Sequence, residues 1–279
     1  MSMLYECRLS EDTQKYAAHK LNETKDNRNY CLNEIKSWSE ENPHLHIRSE
    51  PKYVLPFLRN CKFDLAKTKE KLKNFYTMRR DRIEWYENRD PYSEDIEEIM
   101  KLGCFLILKE TYENHLVVIM RPTLQNPKIH TLDNMLKVCM MILDTAIIEN
   151  ELSQIYGLIV IVDLKYTSFA HVKQFSISTM RHLAQALQNY HCRPQKIEFV
   201  NTPFFVNVVL NLFKTFMPEK LSKRVHVNST LNILDKAILP KEYEGEGESV
   251  EDIVNFWRQK VVSRASWFLE DEKHKADFV

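Results

Sequence analysis

Between Tyr190 and Arg224 the chain reads YHCRPQKIEFVNTPFFVNVVLNLFKTFMPEKLSKR, and this stretch narrows the possible folds more than any other. It starts as a strand over residues 196–201, where Ile197 and Phe199 alternate with polar neighbours. Asn201, Thr202 and Pro203 then predict a helix start, with Asn or Thr as cap and Pro at the first helical position. The helix that follows has too many apolar faces for an ordinary surface helix. Phe205, Val209, Leu212 and Phe216 form one stripe at helical spacing, and Val206, Leu210 and Phe213 form a second beside it. Only Asn207, Asn211 and Lys214 make a polar seam. A helix apolar around most of its circumference is either buried on both sides or covers something greasy that is not protein. Lys214, Lys220, Lys223 and Arg224 follow at once, so the segment predicts a lid over a lipid pocket, beside an anionic surface.

Composition removes most other functions. The 279 residues are 44% hydrophobic, enough for a large core, and carry zero net charge, so a nucleic-acid partner held by the whole surface is not expected. With only four glycines there is neither a G-x-x-x-x-G-K-[ST] nor a G-x-G-x-x-G loop to cradle phosphates. The six cysteines are scattered without a C-x-x-C pair, which argues against a zinc ribbon, a thioredoxin-type site or a disulfide framework. No G-x-S-x-G elbow or H-E-x-x-H helix occurs. His44 and His46 read as loop residues beside Pro43 rather than as metal ligands. Asp163 stands at a strand end, where α/β enzymes often place a carboxylate, but with no partner base in view it reads as a turn cap. His171 and His182 read as packing or helix-surface groups. The residues read in order offer no catalytic constellation and no set of ligands at metal spacing. No apolar run approaches the ~20 residues of a membrane span, and the N-terminus has no apolar leader core. A cytoplasmic, reducing location is therefore expected, with reversible amphipathic membrane contact left open.

The chain divides into a helical N-terminal lobe over residues 1–95, an α/β lobe over 96–258 and a C-terminal helix or tail over 259–279. In the first lobe, Lys62, Phe63 and Asp64 join two helices, with Asp64 capping the second. From Gly103 onward strands and helices alternate. GCFLILK and LVVIMR read as a hairpin, and residues 132–152 as a long helix rich in Met, Leu and Ile. GLIVIVDL, residues 157–164, is a nearly unbroken β-branched run, the mark of a strand buried on both faces. Residues 176–189 read as a helix, 223–228 as a short strand and 231–238 as a short helix.

Four motifs in order resemble the CRAL-TRIO family: YVLPFLRNCKFDLAKTKEKLKNFY, GLIVIVDL, the 190–224 segment and LPKEYEGEG. The resemblance spans roughly residues 30–258 and is similar in flavour to the retinaldehyde-binding and α-tocopherol-transfer branch. It implies an α/β fold in which a helical N-terminal lobe adjoins a mixed, mainly parallel sheet. That sheet would floor a lipid cavity, with a mobile gate helix at about residues 204–217 as its cover. The implied function is binding of one lipophilic small molecule (a tocopherol, retinoid, carotenoid or similar isoprenoid) and its transfer between membranes by a monomer that is not an enzyme and needs no cofactor or metal. Within the family a phospholipid exchanger is the alternative, and outside it a non-transporting adaptor.

By the same resemblance Val206, Leu210 and Phe213 would face the ligand, while Phe205, Val209 and Leu212 would face outward toward the bilayer. Met120, Leu136, Cys139, Leu143, Leu158 and Val160 are implied as pocket wall, completed by Phe175, Leu183 and Tyr190. Arg193, Lys220 and Arg224 match a basic cluster that holds a phosphoinositide headgroup, at a membrane touched transiently. One further basic position of that pattern is Gln195 here, next to Lys196. Pro56, Thr215 and Glu244 also depart from the pattern, the last replacing the first glycine of the closing pair, and imply altered local turns.

Overall fold

A computed structural model describes residues 5–228 and 234–278. The N-terminal lobe packs helices Glu11–Leu21, Lys25–Glu41, Pro51–Asn60 and Leu65–Asp81, followed by the shorter Ile83–Tyr86 and Glu94–Leu102. Local chemistry sets their ends. Ser10, Thr24 and Asp64 each accept a hydrogen bond from the backbone N–H three residues on, which satisfies a donor that the first turn leaves unpaired. Pro56 sits inside Pro51–Asn60 without ending it. Leu32, Ile35, Leu55, Leu58, Leu72 and Phe75 fill the interior of this lobe.

The second lobe is built on five strands, β1 (Phe105–Ile107), β2 (Leu116–Met120), β3 (Leu158–Asp163), β4 (Pro194–Val200) and β5 (Val225–Val227), lying side by side in sequence order. β1 pairs antiparallel to β2, as the hairpin reading expected, and all other pairs are parallel. Helices supply the crossovers: Leu132–Glu149 with Glu151–Tyr156 between β2 and β3, and Ile177–Asn189 between β3 and β4. The expected helix over 132–152 is broken at Asn150, whose side chain caps the second piece. A bulge between β3 and β4 pairs Leu158 with Pro194 and Ile159 with Lys196, leaving Gln195 as the extra residue. Gly157 makes room beside it, because a Cβ at its φ of +95° would meet the Arg193 carbonyl oxygen at 2.5 Å.

Helix Val206–Thr215, the one expected to act as the gate helix, runs between Pro203 and Pro218. It begins later than residues 201–203 predict and has no side-chain cap. Asn201 is drawn elsewhere: it takes a left-handed φ of 52° and its amide donates to Asp163 Oδ1 at 2.8 Å. Asp163 also accepts from the Lys165 N–H and the Tyr243 hydroxyl, so it ties a turn together. The short helix expected over 231–238 falls partly outside the described residues, and Leu234–Ile238 forms a turn. Glu244 adopts φ 59°, the left-handed conformation that glycine would take with least strain, so the closing turn keeps its course.

Helix Val250–Val262 runs through the expected boundary at 258/259, and Ala265–Asp271 follows it. The chain end straps the two lobes together. Trp267 Nε1 donates to Tyr53 Oη at 2.8 Å, and the backbone N–H of Asp277 donates to His44 O at 2.8 Å. Asp271 lies buried beneath the strap, accepting from Arg79 and Arg89 at 2.7 Å each, with Arg48 Nε 3.5 Å away. Arg89 also reaches Asp144 on the long helix at 3.3 Å, and the Tyr190 hydroxyl donates to the same carboxylate.

Candidate functional site

A cavity of about 260 Å³ lies between the sheet and the gate helix. Strand alternation sets its floor. On β3, Leu158, Val160 and Val162 face the cavity, while β2 contributes Val118 and Met120. On β4 the bulge at Gln195 changes the phase, so Pro194, Ile197 and Phe199 all line the floor. Two helices make the walls. Leu132, Met135, Leu136, Cys139, Met140 and Leu143 are spaced as one face of the long helix, and Met180, Leu183 and Leu187 as one face of Ile177–Asn189. Tyr190 and Phe175 complete the wall, and Val206, Val209, Leu210, Phe213 and Met217 form the roof.

All twelve residues expected to face a ligand, from Met120 to Phe213, lie on this wall. The outward face of the gate helix is different from expectation. Val209 points into the cavity, and Phe205 lies on the flank, stacked on Phe169 with ring centroids 4.6 Å apart. The exposed ridge is Phe204, Val208 and Leu212, and Phe204 is 90% exposed. Rotation explains the correction. At about 100° per residue, Val209 sits only ~60° from Val206 around the axis, inside the roof sector, whereas Val208 lies nearly opposite. Two neighbouring apolar stripes show how wide the apolar sector is but not which way it is turned.

The wall is almost purely apolar. Burial pushes the Cys139 thiol well above its usual range and the Cys192 thiol up to about 12, so both stay protonated at neutral pH. Tyr190 is likewise held neutral by burial, then by the nearby Asp144 carboxylate.

At the edge of the cavity the expected basic residues come together. Arg193 donates to Ile155 O at 2.6 Å, and Arg224 donates to Pro194 O. Lys220 is exposed; its pKa is lowered, first by partial burial and then by the charges of Arg224, Lys62, Arg193 and Lys67. Lys71 is also lowered, chiefly by burial, with Lys220 contributing. The N-terminal lobe thus brings Lys62, Lys67 and Lys71 to a cluster that sequence reasoning confined to the gate region. Their distance along the chain hid them. Lys67 is spent on Asp64, and Lys196, next to Gln195, is spent on Glu198 at 2.7 Å. Among the described residues no cluster of His, Cys, Asp and Glu is arranged for a metal, and no helix is long and apolar enough to cross a membrane.

With a lined cavity behind a five-stranded sheet and a roof helix in place, comparison with known proteins is decisive. The CRAL/TRIO domain profile matches residues 100–245, more than half of the chain. This chain belongs to the CRAL/TRIO family. A second profile, described as a Pinta-like UBA domain, matches residues 24–96. The α-tocopherol transfer protein-like protein of Pongo abelii is 26% identical over 275 residues, covering 96% of this chain and 79% of its own length. Clavesin-2 of Rattus norvegicus is 24% identical over 246 residues, covering 85% and 75%. The crystal structure of Sfh5 aligns with a TM-score of 0.55 over 95% of this chain and all of its own, at 14% identity, and so supports the fold. The family and these relatives, one of them named for tocopherol transfer, support lipid binding and transfer in general.

Proposed function

We propose that this chain encloses one lipophilic small molecule, a tocopherol, retinoid, carotenoid or similar isoprenoid, and carries it between membranes in the cytoplasm without a catalytic step. The observation that carries this reading is the apolar cavity roofed by a helix that keeps a second apolar ridge exposed. Burial of apolar ligand surface contributes about 25 cal/mol per Å², so affinity needs few polar contacts. Phospholipid exchange is less well supported, because no Lys or Arg lines the cavity to hold a phosphate. A non-transporting adaptor would have no need of an open cavity.

In this reading the ridge of Phe204, Val208 and Leu212 meets the bilayer as the gate helix lifts. Arg193, Lys220 and Arg224, joined by Lys62 and Lys71, draw it to an anionic, phosphoinositide-containing surface. Each cation near such a surface contributes about 1 kcal/mol. Native mass spectrometry of the purified chain, before and after gentle organic extraction, is the direct test. A co-purifying lipophile that is lost on extraction and rebinds is expected; no lipid and no lipophile binding would sink the carrier reading.

A further inference from the structure

A second, much smaller cavity lies beneath the strap, where the two lobes join. Its volume is about 30 Å³, room for a water-sized occupant and too little for a phosphate or sulfate. Arg48, Arg79, His191, Asp144 and Asp271 belong to its wall, and the exposed Lys52 marks its mouth.

Charge is out of balance around it. Three guanidiniums (Arg48, Arg79 and Arg89) and two carboxylates (Asp144 and Asp271) are each more than nine-tenths buried. The carboxylate oxygens are already engaged. Asp271 Oδ1 lies 3.5 Å from Arg48 Nε, and Asp271 Oδ2 accepts from Arg79 and Arg89. Asp144 Oδ2 accepts from Arg89, and Asp144 Oδ1 from the Tyr190 hydroxyl. One positive charge is left over, and a buried charge without a counter-charge is costly.

The unused donors mark where a counter-charge fits. The Arg48 guanidinium lies over the Tyr53 ring at 4.4 Å and the Trp267 ring at 5.5 Å, which fixes its plane. Its Nε and Nη1 are sealed by protein, so Nη2 is the nitrogen it offers to the cavity. His191 Nε2 stands 3.6 Å from Asp144 Oδ1, beyond hydrogen-bond reach, and burial keeps the ring neutral with one N–H to give. A water could satisfy these donors but would leave the charge uncompensated. An anion does both.

We propose that this cavity binds one monatomic anion of the chloride class, held by Arg48 Nη2–H and the His191 N–H, with Lys52 at the entrance. The ion would rivet the strap to both lobes, since Arg48 leads into helix Pro51–Asn60, Trp267 belongs to the strap and His191 precedes β4. This site is separate from the lipid cavity, and the inference does not depend on the carrier reading.

The test uses the full chain at pH 7.5, where His191 is neutral. Urea unfolding is followed as sodium gluconate, too large for the cavity, is replaced by sodium chloride at constant ionic strength. Between about 1 and about 100 mM chloride the folding equilibrium constant should rise about tenfold, as for a site half-filled near 10 mM. Bromide diffused into crystals should give an anomalous peak beside Arg48 and His191. Arg48→Met keeps the stem and removes the charge, so its unfolding should no longer respond to chloride, whatever its absolute stability. Identical wild-type unfolding in the two salts overturns the proposal, and so does a chloride response that Arg48→Met retains. Bromide seated there without any chloride effect on unfolding would mean an adventitious ion only, and overturns it too. The wild-type titration and the bromide position decide the matter even if Arg48→Met does not fold.

Discussion

The gate and the strap are held by opposite kinds of chemistry. The gate helix belongs to a small apolar cluster of its own, with Val206, Leu210 and Met217 packed on Val162, Ile197, Phe199 and Val225. Such contacts are non-directional and can be remade after sliding. The strap is seated on buried, directional bonds: Asp271 with Arg48, Arg79 and Arg89, and Asp144 with Arg89 and Tyr190. Bonds of that kind tolerate little displacement, because a buried charge that loses its partner is costly. Rigidity is thus concentrated where the lobes join, and the part proposed to move is fastened only by apolar contact.

The largest blow to this contrast would come at the strap. Asp271→Ala removes the buried carboxylate shared by Arg48, Arg79 and Arg89, of which only Arg89 keeps another in Asp144, and should lower unfolding free energy by about 3–5 kcal/mol, read by urea denaturation; a loss below about 1 kcal/mol would show that the network is not what joins the lobes. His191 offers a pH-resolved version. It stacks on Tyr190 and meets Phe75 edge to face, and burial drops its pKa from 6.5 to about 3. While both states are neutral, a depressed base adds nothing to the pH dependence of stability. Below pH 6.5 the unfolded chain takes up a proton that the folded chain refuses, so stability is lost as pH falls toward 3. His191→Phe keeps the stacking and removes this loss. Its stability relative to wild type should therefore climb by up to about 1.4 kcal/mol per pH unit on acidification, and a constant difference would refute the assignment.

At the gate the effects should shrink. Leu210→Ala is expected to cost about 2 kcal/mol, the low end for a buried leucine, since Leu210 already borders a cavity. Val208→Ser on the outer ridge should stay within about 0.5 kcal/mol yet slow transfer between liposomes; equal transfer would remove the ridge from membrane contact. Lys220→Ala should leave stability unchanged and cost only about 1 kcal/mol of docking to anionic vesicles, or roughly fivefold. It is cleaner than Arg193→Ala, because Arg193 also holds the Ile155 carbonyl.

The resemblance made much of the cavity legible. It implied Leu158 and Val160 as wall, and the two apolar stripes at helical spacing pointed to the lid. The stripe through Met135 and Met140 was equally readable, at the same helical spacing as Leu136, Cys139 and Leu143. Other features depend on information that a linear pattern does not hold. The rotation of the gate helix is decided by which flank Phe169 covers. Lys62 and Lys71 join the basic patch only once the N-terminal lobe is docked, and residues 259–279 read as a tail because composition cannot tell a buried Asp271 from the exposed carboxylates around it.

Tyr190 belongs to both regions. Its ring lines the cavity and its hydroxyl donates to Asp144, whose pKa burial has pushed up to about 6. That donated bond favours the ionised carboxylate. An occupant that prises the ring outward would therefore draw a proton onto Asp144, and one that presses it home would release one. Cargo loading would then exchange protons with the buffer, and the heat of binding near pH 6 would depend on the buffer's ionisation enthalpy.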